Sequence, residues 1–183
     1  MKIIKSTFNW RRPNVARRGK PKRIIHHHTA STGQMSVQDI HNIHYNKGWN
    51  GIGYHYYVRK SGKVYAGRPV WAMGAHTAGH NDDIGICSEG NFQTEKMGDE
   101  QRESIRALVG DITKQYPGIE NGKHRDFNAT ACPGKDYPFA YVIKPIKNIP
   151  PAIPGKSVRV PVPKKRPKWW GKMMRWVKAN RES

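Results

Sequence analysis

Apolar residues recur along this chain at two periods, one helical and one alternating. From Ser36 to Lys47, Val37, Ile40, Ile43 and His44 fall at helical spacing, Ser36 stands where a cap is needed with Asp39 three residues on, and Gly48 ends the run. That spacing predicts a helix. Residues 54–68, YHYYVRKSGKVYAGR, hold two β-rich runs joined by Ser61-Gly62, which predicts a hairpin. Asp83 to Gly90, DIGICSEG, reads as a buried strand. Asp99 to Tyr116 reads as a second helix, with Ile105, Leu108, Val109 and Ile112 on one stripe and Pro117-Gly118 as its stop. A short strand or loop then leads to KHRDFNATACPG at residues 123–134. Strands interleaved with helices predict an α/β domain with a central mixed β-sheet flanked by helices.

Residues 23–31, RIIHHHTAS, place three histidines behind a short apolar run. In a strand, Ile25, His27 and Thr29 share one face while Ile24, His26 and His28 share the other. Only one face can look into a site, and the alternation alone leaves open which one does.

From about Lys144 the pattern changes. Residues 144–167 hold seven of the thirteen prolines and read as an extended, basic linker. At about 100° per residue, Trp169, Trp170, Met173, Met174, Trp176 and Val177 fall within one arc of a final helix over 168–183. Lys168, Lys172, Arg175 and Lys178 fall opposite. Such a basic amphipathic helix suits an anionic membrane or lipopolysaccharide surface, with a nucleic-acid arm as the alternative.

Composition sharpens this division. The 183 residues carry a net charge of +20, of which residues 1–24 contribute nine Lys/Arg with no acid and residues 144–183 twelve Lys/Arg against Glu182 alone. The stretch between is neutral. This points to a polyanion near the termini rather than to a basic catalytic cleft. A hydrophobic content of 36% and a mean hydropathy of −0.83 argue for a soluble protein, and no run approaches the roughly 20 apolar residues of a membrane span. The N-terminus has no apolar run long enough for a signal peptide, so the chain is expected to start in the cytoplasm. Cys87 and Cys132 are too few for a disulfide framework; a core residue or a metal ligand is the better expectation for each.

A hydrolytic zinc site needs three neutral-imidazole or anionic ligands and an open fourth position. His124 and Cys132 form a candidate pair in a loop-rich stretch, although eight residues is longer than a zinc-finger spacing.

The segments IIHHHTAS, GWNGIGYHYYV, SGKVYAGRP, GAHTAGHNDDIGIC, EGNF and HRDFNATACPG, in this order over residues 22–140, resemble the zinc-dependent N-acetylmuramoyl-L-alanine amidases that share a fold with peptidoglycan recognition proteins and small phage endolysins. The resemblance implies hydrolysis of the amide between N-acetylmuramic acid and the L-alanine of the stem peptide. It implies His27, His124 and Cys132 as Zn2+ ligands and Tyr54 as an active-site residue that orients water or donates to the oxyanion. His76 falls where the family lines its substrate groove. Some members carry a Lys two residues before the Cys; here Thr130 stands there and is the candidate for a second polar catalytic group. His55 and His80 are expected to be structural or exposed, and Cys87 to be core.

The expected organisation is therefore an amidase domain over 1–143, a linker over 144–167 and a helix over 168–183. The expected partner is bacterial peptidoglycan, with no specific nucleic acid and a monomeric state. The reading implies a phage endolysin held in the host cytoplasm before lysis and then acting on the cell wall. A non-catalytic peptidoglycan-binding module is the alternative; the presence of Cys132 and Tyr54 favours an enzyme.

Overall fold

The structure, a computed structural model, describes residues 1–145. Most of the expected linker and all of the expected helix over 168–183 lie outside the described residues. Six strands form one mixed sheet: β1 (Ile3–Ile4), β2 (Arg23–His28), β3 (Tyr56–Val58), β4 (Val64–Ala66), β5 (Ile84–Ser88) and β6 (Glu120–Lys123). Their order across the sheet is β1-β4-β3-β5-β2-β6. β3 and β5 lie at its centre, and β5 pairs in parallel with both β2 and β3. All five β5 residues are buried, as expected of a strand covered on both faces.

Helix α2 (Asp99–Gln115) buries Ile105, Leu108, Val109 and Ile112, the predicted stripe, together with Gln101. Gln101 is satisfied there because its amide donates to the carbonyls of Val58 and Glu89. The stripe joins Ile24, Val58, Val64, Ile84 and Ile86 in the larger core. Replacing one of these Ile or Leu residues by Ala would cost about 2–5 kcal/mol.

Helix α1 (Val37–Asn46) covers the opposite face, in a second cluster with Ile52, Tyr57 and Cys87. Its capping box is complete: the Asp39 amide donates to Ser36 Oγ at 3.1 Å, and the Ser36 amide to Asp39 Oδ2 at 2.7 Å. The buried stripe of α1 is Val37, Ile40, His41 and His44. Ile43, predicted on the inner face, is 39% exposed. His41 is buried instead by a tertiary contact: residues 8–11 of the N-terminal arm lie against α1, and Phe8 stacks on the His41 imidazole with centroids 4.7 Å apart. The arm also adds β1, which pairs in parallel with β4, an edge the sequence pattern did not predict.

The hairpin forms as expected. Arg59 donates from its amide to Lys63 across the turn, and Gly62 takes a positive φ of 74°. At the end of β5, Glu89 is buried and accepts from the Arg59 side chain and from the amides of Met35 and Lys60. This ties the loop before α1 to the hairpin. Among the described residues, no helix is long and apolar enough to cross a membrane.

Candidate metal centre

The strand alternation separates the three histidines by layer. His26 is register-paired with Ile86, which packs under α2, and His27 with Cys87, which packs under α1. His26 is fully buried, its Nδ1 2.9 Å from the Tyr137 hydroxyl and its Nε2 3.1 Å from Asn121 Oδ1. His28 accepts the Phe92 amide at Nδ1, at 3.2 Å. Both therefore serve the α2 layer, and His27 alone turns to the other side.

There it meets two residues from a distant stretch. β6 runs directly into a short 3-10 turn, His124–Asp126, that carries His124 to the end of β2. The following loop returns Cys132 against the same strand, where the His28 backbone N–H points at Cys132 Sγ at 3.5 Å. His27, His124 and Cys132 each offer one ligand atom, and these atoms all lie within 4.8 Å of one another. The His27 Nδ1 to Cys132 Sγ separation is 3.7 Å. Two ligands of a tetrahedral zinc, one nitrogen and one sulfur, stand about 3.6 Å apart. A two-nitrogen, one-sulfur donor set at this spacing fits zinc with a fourth position left for a water or substrate.

The electrostatics of the two histidines suit that use. Burial, followed by the neighbouring His76 and His124, holds His27 well below the usual imidazole range, and burial also lowers His124. Both are therefore neutral, lone-pair donors at neutral pH. On His124, Nε2 lies 3.1 Å from Asn128 Oδ1, a pure acceptor, so the hydrogen sits on Nε2 and Nδ1 is the free donor atom. Burial pushes the Cys132 thiol up to about 11, against the opposing pull of the His28 amide and the Arg125 charge.

Tyr54 packs beside this cluster, its ring centroid 5.1 Å from that of His27. Burial, then the nearby Cys87 and Cys132, raises its hydroxyl well above the usual phenol range, so it stays a proton donor. Thr130 is exposed, and its Oγ1 accepts the Cys132 amide at 3.2 Å, which leaves its hydrogen free to donate.

His76, expected in the substrate groove, is among the residues bordering the cleft and also packs against His27. It is 7% exposed, and both ring nitrogens are taken: Nε2 is 3.1 Å from the Asp83 carbonyl oxygen, while Nδ1 is 2.9 Å from Thr77 Oγ1 and 3.1 Å from His27 Nε2.

The cleft itself is a cavity of about 590 Å³ bordered by Arg12, Trp49, Asn50, Arg68, Asn81, His124 and Asn128. His124 belongs to both cavity and ligand cluster and so connects them. The basic N-terminal arm, expected to attract a polyanion, supplies one wall through Arg12 and Val15. Arg68 is 6% exposed. Its Nε and Nη1 donate to the Ile52 and Met73 carbonyls, each at 3.0 Å, and its Nη2 has no partner. Burial, then the Arg12 charge, lowers Arg68 to about 10, so the cleft has a buried cation held by neutral groups. Arg68, Trp49 and Asn128 were not singled out from sequence; the four-residue offset of Asn128 from His124 was the one available signal.

The family model described as N-acetylmuramoyl-L-alanine amidase matches residues 17–135. The endolysin of Klebsiella phage KP32 is 32% identical over 114 residues, which cover 59% of this chain and 76% of that protein. The solved structure of the endolysin amidase LysCS from Clostridium intestinale URNW superposes with a TM-score of 0.73 at 39% identity, covering 77% of this chain and 92% of the other. A complex of peptidoglycan recognition proteins LCa and LCx with tracheal cytotoxin superposes with a TM-score of 0.68 at 29% identity, over 78% of this chain and 95% of that one.

Proposed function

The chain belongs to the N-acetylmuramoyl-L-alanine amidase family, and on that premise we propose that it is a zinc-dependent endolysin cutting the amide between N-acetylmuramic acid and L-alanine in bacterial peptidoglycan. The observation that carries this reading is the convergence of His27, His124 and Cys132 at zinc-ligand spacing, with His124 also bordering the cleft. Bound there, zinc supplies Lewis acidity, polarising a carbonyl and lowering the pKa of a water toward about 7.

The chain's own groups do the rest. Tyr54, protonated throughout the neutral range, donates to the carbonyl oxygen as negative charge gathers on it, a contribution of the oxyanion-hole kind. Thr130 adds a second hydroxyl donor from the loop that carries Cys132. Arg68 and Arg12 present positive charge to the carboxylates of a stem peptide, and Trp49, 41% exposed at the cleft edge, offers an apolar face. The amphipathic stretch over 168–183, outside the described residues, is proposed on sequence grounds to engage anionic outer-membrane surfaces. Before lysis the enzyme resides in the host cytoplasm.

The test is a cleavage assay on purified peptidoglycan. With zinc, the protein is expected to release stem peptides without new reducing sugar ends, and Cys132→Ser to abolish release. New reducing ends would make it a glycosidase, and binding without release a recognition module. Removing residues 164–183 is expected to spare this activity while reducing lysis of whole Gram-negative cells; equal lysis would refute the membrane role.

A further inference from the structure

Resting on the zinc reading above, we propose that His76 is a positioning residue that locks His27 in the tautomer presenting Nδ1 to the metal. The argument is one of donors and acceptors. The Asp83 carbonyl oxygen can only accept, so His76 Nε2, 3.1 Å away, carries the hydrogen. A neutral imidazole has a single N–H, and burial keeps both rings neutral. His76 Nδ1 therefore carries no hydrogen and accepts, with the Thr77 hydroxyl 2.9 Å and His27 Nε2 3.1 Å from it; a second bare lone pair on His27 Nε2 would face it with repulsion, so His27 Nε2 carries a hydrogen. That places the one hydrogen of His27 on Nε2 and leaves the lone pair on Nδ1, the nitrogen facing Cys132 Sγ at 3.7 Å. Thr77 Oγ1, 3.3 Å from His27 Nε2, is a second acceptor for the same hydrogen and reinforces the same tautomer.

The seat of His76 is built for the ring. A Cβ on Gly74 would stand 2.5 Å from His76 Cδ2, and one on Gly85 would stand 2.7 Å from Cγ and Cδ2. Neither glycine has a positive φ, so at both positions the missing side chain makes room and does not relieve the backbone. Asn81 closes the loop over the ring by accepting the His76 and Thr77 amides at 2.8 and 3.0 Å. His124 is oriented by the same logic through a different acceptor, Asn128. A metal-ligating histidine whose far N–H is held in this way is oriented and made more basic, and losing the partner typically costs about 10–100-fold in metal affinity.

The experiment uses the full chain stripped with a chelator. Long-range proton–nitrogen NMR of the wild type is expected to show the His27 hydrogen on Nε2. Zinc affinity, measured by chelator competition, is expected to fall about 10–100-fold in His76→Ala, with His27 becoming a mixture of tautomers. His76→Gln, whose amide can accept from His27 and donate to Asp83, is expected to recover most of the affinity. A hydrogen on Nδ1 of His27 in the wild type overturns the inference. So does wild-type zinc affinity in His76→Ala, or His76→Gln binding zinc no better than His76→Ala. If His76→Ala does not fold, the wild-type tautomer and His76→Gln still decide. A wild type that takes up no zinc sinks the proposed function instead, and the tautomer measurement separates the two failures.

Discussion

Gly85 lies so close beneath His76 that a Cβ there would stand 2.7 Å from the imidazole carbons. The ring cannot swing away, because Gly74 borders it as well and both of its nitrogens are bonded. Gly85→Ala is therefore expected to destabilise the protein by about 1–3 kcal/mol, the usual cost of overpacking, and to weaken zinc binding with it. Urea unfolding and a zinc titration check this; an unchanged midpoint together with unchanged zinc affinity would contradict it.

Tyr54→Phe removes the hydroxyl and keeps the ring. If that hydroxyl stabilises the developing oxyanion, kcat falls about 10²–10³-fold while bound zinc per protein stays the same. A variant that loses zinc along with activity would place Tyr54 in the scaffold of the metal centre rather than in the reaction.

His26 and His27 are adjacent, yet alanine at each is expected to do different damage. His26→Ala empties a fully buried site, takes its partner from Asn121 and leaves the Tyr137 hydroxyl only the Ser88 hydroxyl at 3.5 Å, at a cost of about 2–4 kcal/mol in stability. Zinc content below the melting transition is expected to be unaffected. His27→Ala is expected to abolish zinc retention and peptide release together. Metal analysis and thermal melts of the two variants separate these outcomes, and zinc loss in His26→Ala would count against the layer assignment.

His44 makes stability depend on pH. Its Nδ1 accepts the Gly53 amide at 3.0 Å, just ahead of Tyr54. Burial, aided by the charges of Lys47 and Arg68, holds it down to about 4 from an ordinary 6.5. The native ring thus stays neutral while the unfolded chain takes up a proton below about 6.5. Its contribution is complete above that pH and is lost as the pH falls through about 4, where it amounts to about 2–3 kcal/mol. Urea unfolding between pH 4 and 7 is expected to give a steeper pH slope for the wild type than for His44→Gln. Equal slopes would rule His44 out as the source.

Much of the fold was legible because its signals are local. The capping box of α1, the stripe of α2, the Ser61-Gly62 turn and the apolar run of β5 each lie within a few residues, and each formed where the pattern placed it. The candidate ligand residues were singled out through ordered motifs, and strand alternation had already divided the histidines into two faces. Tertiary structure decided which face served the site, since that depends on what covers each side of the sheet. It buried His41, because residues 8–11 pack against that side of α1, and left Ile43 exposed. It left Arg68 buried with one unpartnered nitrogen, and it set His76, which borders the cleft, against His27 as well. A side chain's type and face follow from the chain near it. The position of a hydrogen on an imidazole, or the compensation of a buried charge, follows from acceptors brought up by distant segments, and only the folded chain supplies those.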